Sequence, residues 1–390
     1  MNIYLDNSAT TKPHDEVIEY MVSVMRESYG NPSSLHGAGL AAERIVREAR
    51  GRVAAVFGAK TACVIFTSGG TESNNTAIIR GALSRRRQGR RVITTRAEHP
   101  SVLESCAALA AEGFDIVYAD VDSDGRVIPA SVEALANDNT VLISCIHVNN
   151  ETGVIQPTDA VFDIAEACGR RAGRRIGVHV DAVQSFGKLS VASLARRADF
   201  ISVSAHKLHG PKGAGALFVA RDARIEPLIV GGGQERGLRS GTENVPAIAG
   251  FGLAALMAGR DPNARAERIA ACKRRLLEGI SAGVDDIKLN GSCGTDAVPH
   301  ILNISFLGVK GEVLLHDLER HGVFVSTGAA CSSKKKGGSR VLAAMGLSAA
   351  ESEGAIRFSL GDFNTEEEMD RAAEAVCSCV RRFRNLGRYR

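Results

Sequence analysis

The sequence predicts an α/β protein, with a large, mostly parallel sheet covered by helices on both faces and a smaller α+β domain. Three observations lead there. Short apolar runs rich in Val and Ile recur between Ile3 and Val219, separated by helical patterns, as in parallel sheets buried on both sides. Beyond about Ala249 the pattern changes to long helical stretches with few strand-like runs. The polar and glycine-rich motifs fall at the ends of predicted strands, where ligands collect in open parallel sheets. A chain of 390 residues is long enough for two domains. The boundaries are placed at 15–255 for the large domain, with 1–14 and 256–390 forming the smaller one.

Each element has a local reason. The strand Ile3-Tyr-Leu5 runs into the polar turn Asp6-Asn-Ser-Ala-Thr-Thr11, closed by Pro13. A helix is predicted over Asp15 to Glu27. A longer one runs from about Gly39 to Phe57, with Ile45, Val46, Ala49 and Val53 on one face, the helical period. The strand Cys63-Val-Ile-Phe-Thr67 meets Ser68-Gly-Gly-Thr-Glu-Ser-Asn-Asn75, which opens another helix. The free N–H groups and dipole of a first helical turn favour an anion, so Gly70 and Thr71 are candidates for a phosphate cradle. Further strands are predicted at Arg91–Thr95, Asp115–Tyr118, Thr140–Ile146, Gly177–Val180, Phe200–Val203 and Gly215–Val219.

From Ala249 to Ile280 the pattern is helical, and Gly-Arg-Asp-Pro-Asn263 makes it one kinked helix or two. A strand follows within His300–Phe306, then helices over about Glu312–His321 and Arg340–Met345, then the strand Ala355–Leu360. The closing helix starts at Thr365, whose Thr-Glu-Glu-Glu is a capping signature.

Composition narrows the function classes. Hydrophobic residues at 44% and charged residues at 24% describe an ordinary globular protein. A net charge of +4 is too small to imply direct nucleic-acid binding. No apolar run approaches the roughly 20 residues that span a bilayer. Met1 to Asp6 lacks a basic segment followed by an apolar core, which predicts a cytoplasmic location. Nine cysteines, an odd number, argue against a disulfide framework. Cys63, Cys106, Cys145, Cys168 and Cys272 read as small core residues. Cys377 and Cys379 are two apart on a helix and do not face each other, so no shared metal is expected. The basic clusters Arg85–Arg91 and Arg170–Arg175 read as solvated helix ends and loops, where cations are favoured.

The chemistry gathers around Ser204-Ala-His-Lys207, between two predicted strands. Desolvation can leave a buried lysine neutral and nucleophilic enough for a Schiff base. Pyridoxal-phosphate chemistry also asks for a carboxylate at the ring nitrogen, a group at the ring face, a phosphate cradle and a carboxylate clamp. His179-Val-Asp181 ends a buried strand, where an unpaired aspartate is costly. Gln184 lies three residues on and can reach the cofactor's phenolic oxygen. His99 can stack on the ring, and Ser204 and His206 join Gly70 and Thr71 at the phosphate. Singly these are weak: an Asp after a strand is commonly a helix cap, and a buried His is commonly a core residue. Their joint occurrence, in order and at strand ends, carries the reading.

These residues resemble, over essentially the whole chain, the NifS-like cysteine desulfurases of the class V aminotransferase superfamily. The matching stretches are Leu5–Thr11, Ser68–Asn75, Glu98-His99, Val148-Asn-Asn-Glu-Thr-Gly-Val154, His179–Gln184, Ser204–Lys207, Gly231–Thr242 and Ile356-Arg-Phe-Ser-Leu-Gly361. The resemblance implies a fold type I pyridoxal-phosphate transferase with a seven-stranded large-domain sheet. It implies that Lys207 carries the cofactor, with Asp181, Gln184, His99 and Asn150 around its ring and Gly70, Thr71, Ser204 and His206 at its phosphate. Thr242 would reach the phosphate of the other subunit, which implies a homodimer. Arg357, with Asn150, would hold the substrate carboxylate; by its neighbours alone Arg357 could equally be a strand residue facing solvent.

Cys331, in Val325-Ser-Thr-Gly-Ala-Ala-Cys-Ser-Ser-Lys334, matches the family's nucleophile, which accepts sulfur from L-cysteine as a persulfide. The family's usual serine is replaced here by Ala329. The segment around Gly169–Arg175 is longer than usual and is expected to be a surface loop. Lys334-Lys335-Lys336 would keep the Cys331 loop in water, help ionise its thiol and attract an acidic sulfur acceptor. Acceptor proteins of iron–sulfur cluster assembly or tRNA thiolation are the implied partners. The competing readings are a selenocysteine lyase or aminotransferase on the same fold, and a catalytically silent sulfur-transfer scaffold. A thiol at Cys331 argues against transamination, and retention of both Lys207 and Cys331 argues against the scaffold.

Overall fold

The structure is a computed structural model that describes residues 2–327 and 338–387. Its strands are β1 (Ile3–Tyr4), β2 (Val64–Thr67), β3 (Arg91–Thr95), β4 (Asp115–Ala119), β5 (Thr140–Ile146) and β6 (Gly177–Asp181). They continue with β7 (Phe200–Ser204), β8 (Gly215–Val219), β9 (Ile287–Leu289), β10 (Ile301–Phe306), β11 (Val323–Phe324) and β12 (Ala355–Ser359).

Seven of these form one sheet in the order β2-β8-β7-β6-β5-β3-β4. β7, β6, β5, β3 and β4 run parallel, and β8 is antiparallel to both its neighbours. Every residue of β5, β6, β7 and β8 is buried, the signature of a sheet covered on both faces. The fold is therefore the α/β arrangement expected, with the mostly parallel seven-stranded sheet.

One face is covered by the helices Gly37–Phe57 and Val245–Ala258, which pack closely. A Cβ added at Gly252 would lie 2.6 Å from Ala49 Cα, so the second helix can approach only without a side chain there. Phe57, Phe186 and Phe251 fill the space between these helices and the sheet, with Phe57 and Phe186 centroids 4.8 Å apart. Truncating one such phenylalanine costs about 3–5 kcal/mol.

A second hydrophobic cluster gathers Ile3 and Leu5 with residues from Ile269 to Val380. It lies around the antiparallel sheet β12-β10-β9 and the parallel pair β1-β11, against the helices Pro262–Gly283 and Glu366–Gly387. The helical stretch after Ala249 is two helices, separated at Gly259–Asp261. The closing helix starts as its signature predicts: the Glu368 N–H donates to Thr365 Oγ1 at 3.3 Å, and the Thr365 N–H donates to Glu368 Oε2 at 3.3 Å.

Two expectations change. Arg85 is not a solvated loop residue: it is 4% exposed, and its guanidinium meets Asp199 at 3.2 Å. Its sequence neighbours Arg86 and Arg87 are exposed, so one cluster splits between interior and water. The stretch Gly169–Arg175 is only partly loop, because the helix Thr158–Ala172 extends into it and ends at the left-handed Gly173, φ 64°. Among the described residues no helix is long and apolar enough to cross a membrane.

Candidate active site

The C-terminal ends of β6 and β7 lie side by side, and a cavity of about 340 Å3 opens above them. β6 delivers Asp181 to its wall. β7 delivers Ser204, and the tight turn after it delivers His206 and Lys207. From the loops after β3 and β5, on the other side of β6 from β7, His99 and Asn150 join them, and β12 contributes Arg357. The turn after β6 adds Gln184, and the helical run beginning at Gly70 adds Gly70 and Thr71. Position 70 has to be glycine, since a Cβ there would lie 2.7 Å from Val183 Cγ2. Ten of the expected site residues thus share one cavity. Thr242 does not: it is exposed and outside the lining. Cys331 lies outside the described residues, as do Ala329 and Lys334-Lys335-Lys336.

Lys207 Nζ donates to the Ser8 carbonyl at 2.5 Å and the Ala9 carbonyl at 2.7 Å. The N-terminal turn therefore reaches across the chain to hold the amine. Asp181 is 3% exposed and takes its hydrogen bonds from neutral donors, Asn74 Nδ2 at 2.7 Å and the Val183 N–H at 3.0 Å. Asn74 also donates to Ser101 Oγ at 2.9 Å, and that hydroxyl lies 2.7 Å from His99 Nδ1.

His99 caps the helix Pro100–Ala111 by accepting the Ser101 N–H at Nδ1. The proton of the neutral ring is thereby assigned to Nε2. Burial lowers the pKa of His99, with Asp181 opposing the shift and Lys207 adding to it. His206 is held down to about 4, first by burial and then by the charge of Lys207.

Arg357 is buried, not solvent-facing: its Nη2 contacts Asp6 Oδ1 at 2.7 Å and its Nη1 donates to the Asn150 carbonyl at 2.9 Å. Glu151, beside Asn150, accepts from the Ser339 hydroxyl at 2.5 Å. Burial raises the Glu151 pKa, with that hydrogen bond and Arg357 opposing.

The cavity's polar groups are incompletely satisfied. Ser8 Oγ, Asn74 Oδ1, Asn150 Oδ1, Gln184 Oε1, Ser204 Oγ and Arg357 Nε are buried without a hydrogen-bond partner among the described residues. All six belong to residues lining this one cavity. Buried polar groups are ordinarily paired, so the concentration of orphans fits a polar ligand. Their chemistry suits pyridoxal phosphate: a hydroxyl and first-turn N–H groups for phosphate, a carboxylate and an amide for ring atoms, and an amine for an aldehyde.

Sequence reasoning missed four residues here. Asn74 lies within a stretch already singled out and Ser101 two residues beyond another, but nothing local says that they link Asp181 to His99. Ser8 and Asp6 lie in the N-terminal turn, whose approach to Lys207 and Arg357 is a purely tertiary event.

Comparisons with known proteins show the family. The aminotransferase class-V family profile matches residues 3–372. A cysteine desulfurase IscS from Anaeromyxobacter sp. (strain Fw109-5) is 42% identical over 387 residues, covering 98% of this chain and 94% of that protein. A solved NifS-like protein superposes with a TM-score of 0.90 at 38% identity, covering 97% of this chain and 99% of its own. The structure of SspA in complex with cysteine matches at 34% identity with a TM-score of 0.80, over 92% of this chain and 98% of its own. The chain belongs to the class-V aminotransferase family and, within it, to the NifS-like cysteine desulfurases.

Proposed function

We propose that the protein uses pyridoxal phosphate to convert L-cysteine to L-alanine, passing the sulfur to Cys331 as a persulfide. The observation that carries this reading is the cavity that brings together Lys207, Asp181 and Arg357 and whose lining residues hold six buried polar atoms without a partner among the described residues. When bound, the cofactor supplies an electron sink for charge at the substrate's Cα, which no side chain provides.

The chain's own residues would do the rest. Lys207 would anchor the cofactor covalently, and its Nζ would take the proton from the substrate's Cα. Asp181 would hold the ring nitrogen in its protonated form, and Gln184 would reach the phenolic oxygen. Ser204 Oγ, His206 and the first-turn N–H groups at Gly70 and Thr71 would hold the phosphate, completed by Thr242 of a partner subunit in a homodimer. The Arg357 guanidinium and Asn150 would bind the substrate carboxylate. His99, neutral at pH 7 with its proton on Nε2, is placed to move a proton beside the ring.

Cys331 is five residues beyond Ser326, a span of at most roughly 17 Å. Ser326 exchanges backbone hydrogen bonds with Arg357, and Ser339 donates to Glu151. Ser326 and Ser339, described residues on either side of Cys331 in the sequence, are thus both bonded to residues lining the cavity. Cleavage of the substrate C–S bond leaves its electrons on Cβ, which is protonated to give alanine, while a new S–S bond forms at Cys331. The persulfide then serves an acceptor protein of iron–sulfur assembly or tRNA thiolation. A reduced thiol suits a reducing cytoplasm.

Incubation of the loaded enzyme with L-cysteine, followed by alanine assay and peptide mass spectrometry, tests the reading. Alanine with a persulfide on Cys331 is expected, and Cys331→Ser should abolish the persulfide while retaining the cofactor. A persulfide on the exposed Cys293 in place of Cys331, or no alanine, would overturn it.

A further inference from the structure

At the opposite end of the central sheet a second cavity, of about 460 Å3, lies where β6 begins. It is walled by the last turn of the helix Thr158–Ala172, the loop that follows, and the last turn of the helix Ala192–Arg197. Its apolar neighbours Phe162, Ala165, Ile176 and Val178 are at most 3% exposed. The charged side chains that line the space are Arg170, Arg174, Arg175, Arg196 and Arg197, against Glu166 and Asp199.

The two carboxylates are already engaged. Asp199 is held by Arg85 at 3.2 Å and Arg175 at 3.1 Å. Glu166 is held by Arg197 at 2.7 Å. Arg170, Arg174 and Arg196 are left without a carboxylate partner among the described residues. Cations at helix C-termini are favoured in their own right, which accounts for some of this charge. It does not account for Arg174, which follows the helix and the left-handed Gly173. Its Nη2 is fixed by the carbonyls of Asp138 at 2.6 Å and Thr140 at 2.9 Å, while its Nη1 is buried with no acceptor among the described residues. Burial lowers the pKa of the neighbouring Arg85, with Asp199 opposing and the charges of Arg175 and Arg174 from this cavity, and of Arg224 outside it, adding to the shift.

A concave site of this size suits a small molecule, and guanidinium groups suit phosphate oxygens in particular. No bare aromatic face is offered to a base, because Phe162 is buried and the Arg197 guanidinium lies 5.1 Å from its ring centroid. We propose that this cavity binds a short polyphosphate chain, gripped by Arg170 and Arg196 with the fixed charge of Arg174 beside them, at the end of the sheet remote from Lys207. The site reads the phosphates and not an attached nucleoside.

The test is isothermal titration of the full chain, loaded with pyridoxal phosphate so that the cradle at Gly70 and Ser204 is filled, with inorganic tripolyphosphate. Saturable binding at one site per chain is expected, weakening as salt is raised. The double variant Arg170→Ser/Arg196→Ser changes two exposed side chains and should lower affinity by about tenfold for each guanidinium removed. Arg86→Ser/Arg87→Ser removes the same charge from exposed positions outside the cavity and should leave binding unchanged. ATP should bind no tighter than tripolyphosphate. No saturable binding, or equal weakening by the two double variants, would overturn the site. Markedly tighter ATP binding would overturn the claim that phosphates alone are read.

Discussion

Two buried aspartates sit at opposite ends of the neighbouring strands β6 and β7, and their partners differ in kind. Asp199, 1% exposed just before β7, is met by two guanidinium groups and by the Val178 N–H at 3.0 Å. Asp181, 3% exposed at the end of β6, is met by an amide and a backbone N–H. A buried charge needs compensation. The fold supplies it at Asp199 with its own cations, whereas hydrogen bonds alone hold Asp181 in place and leave its charge to act on a ligand. The same contrast separates two histidines. His179 is enclosed between Ser144 at 2.8 Å and Ser202 at 3.0 Å, so both ring nitrogens are taken. Among the described residues His99 has only Nδ1 taken, and it lines the cavity.

The sharpest way to break this comparison is to neutralise the structural aspartate. Asp199→Asn leaves Arg85 buried without its counter-charge and should cost about 3–5 kcal/mol. The variant should keep the activity of whatever fraction remains folded; urea unfolding beside an active-site titration separates the two.

The structural histidine gives the next effect. Burial holds its pKa at about 4 against an ordinary 6.5, so the unfolded chain binds the extra proton first as pH falls. Its stabilising contribution is full above pH 6.5 and is lost as the pH drops toward 4, on the order of 3 kcal/mol. His179→Gln should flatten the decline of unfolding free energy with pH in that window. An unchanged slope would mean that other groups carry it.

Neutralising the aspartate of the site should act the other way round from Asp199. Asp181→Asn should lower kcat by about 100-fold with little change in unfolding midpoint. If it unfolds the protein as Asp199→Asn does, the distinction between the two carboxylates fails. The smallest effect concerns the link from Asp181 through Asn74 to His99. Ser101→Ala removes one hydrogen bond from the imidazole and should lower kcat about fivefold. It should also displace the acid limb of the pH–rate profile. A change in KM alone would assign Ser101 to packing.

Much of the fold was legible because strand and helix periods are local properties. β5 and β8 fall at the boundaries that their apolar runs suggest, and the closing helix starts at its capping signature. The site was legible in outline for a related reason: Asp181 and Ser204 end strands, Gly70 and Lys207 follow them, and parallel strands bring such ends to one edge. Sequence alone determined which residues stand at strand ends and which carry reactive groups. Tertiary structure decided which of them meet. The order β2-β8-β7-β6-β5-β3-β4 cannot be read from any one strand, because a strand's alternation records its burial and not its neighbours. For the same reason only the folded chain could bring Ser8 to Lys207, Asp6 to Arg357 and Arg85 to Asp199. These pairs are separated by more than a hundred residues, and their contacts depend on sheet order and on how the separate sheets pack together.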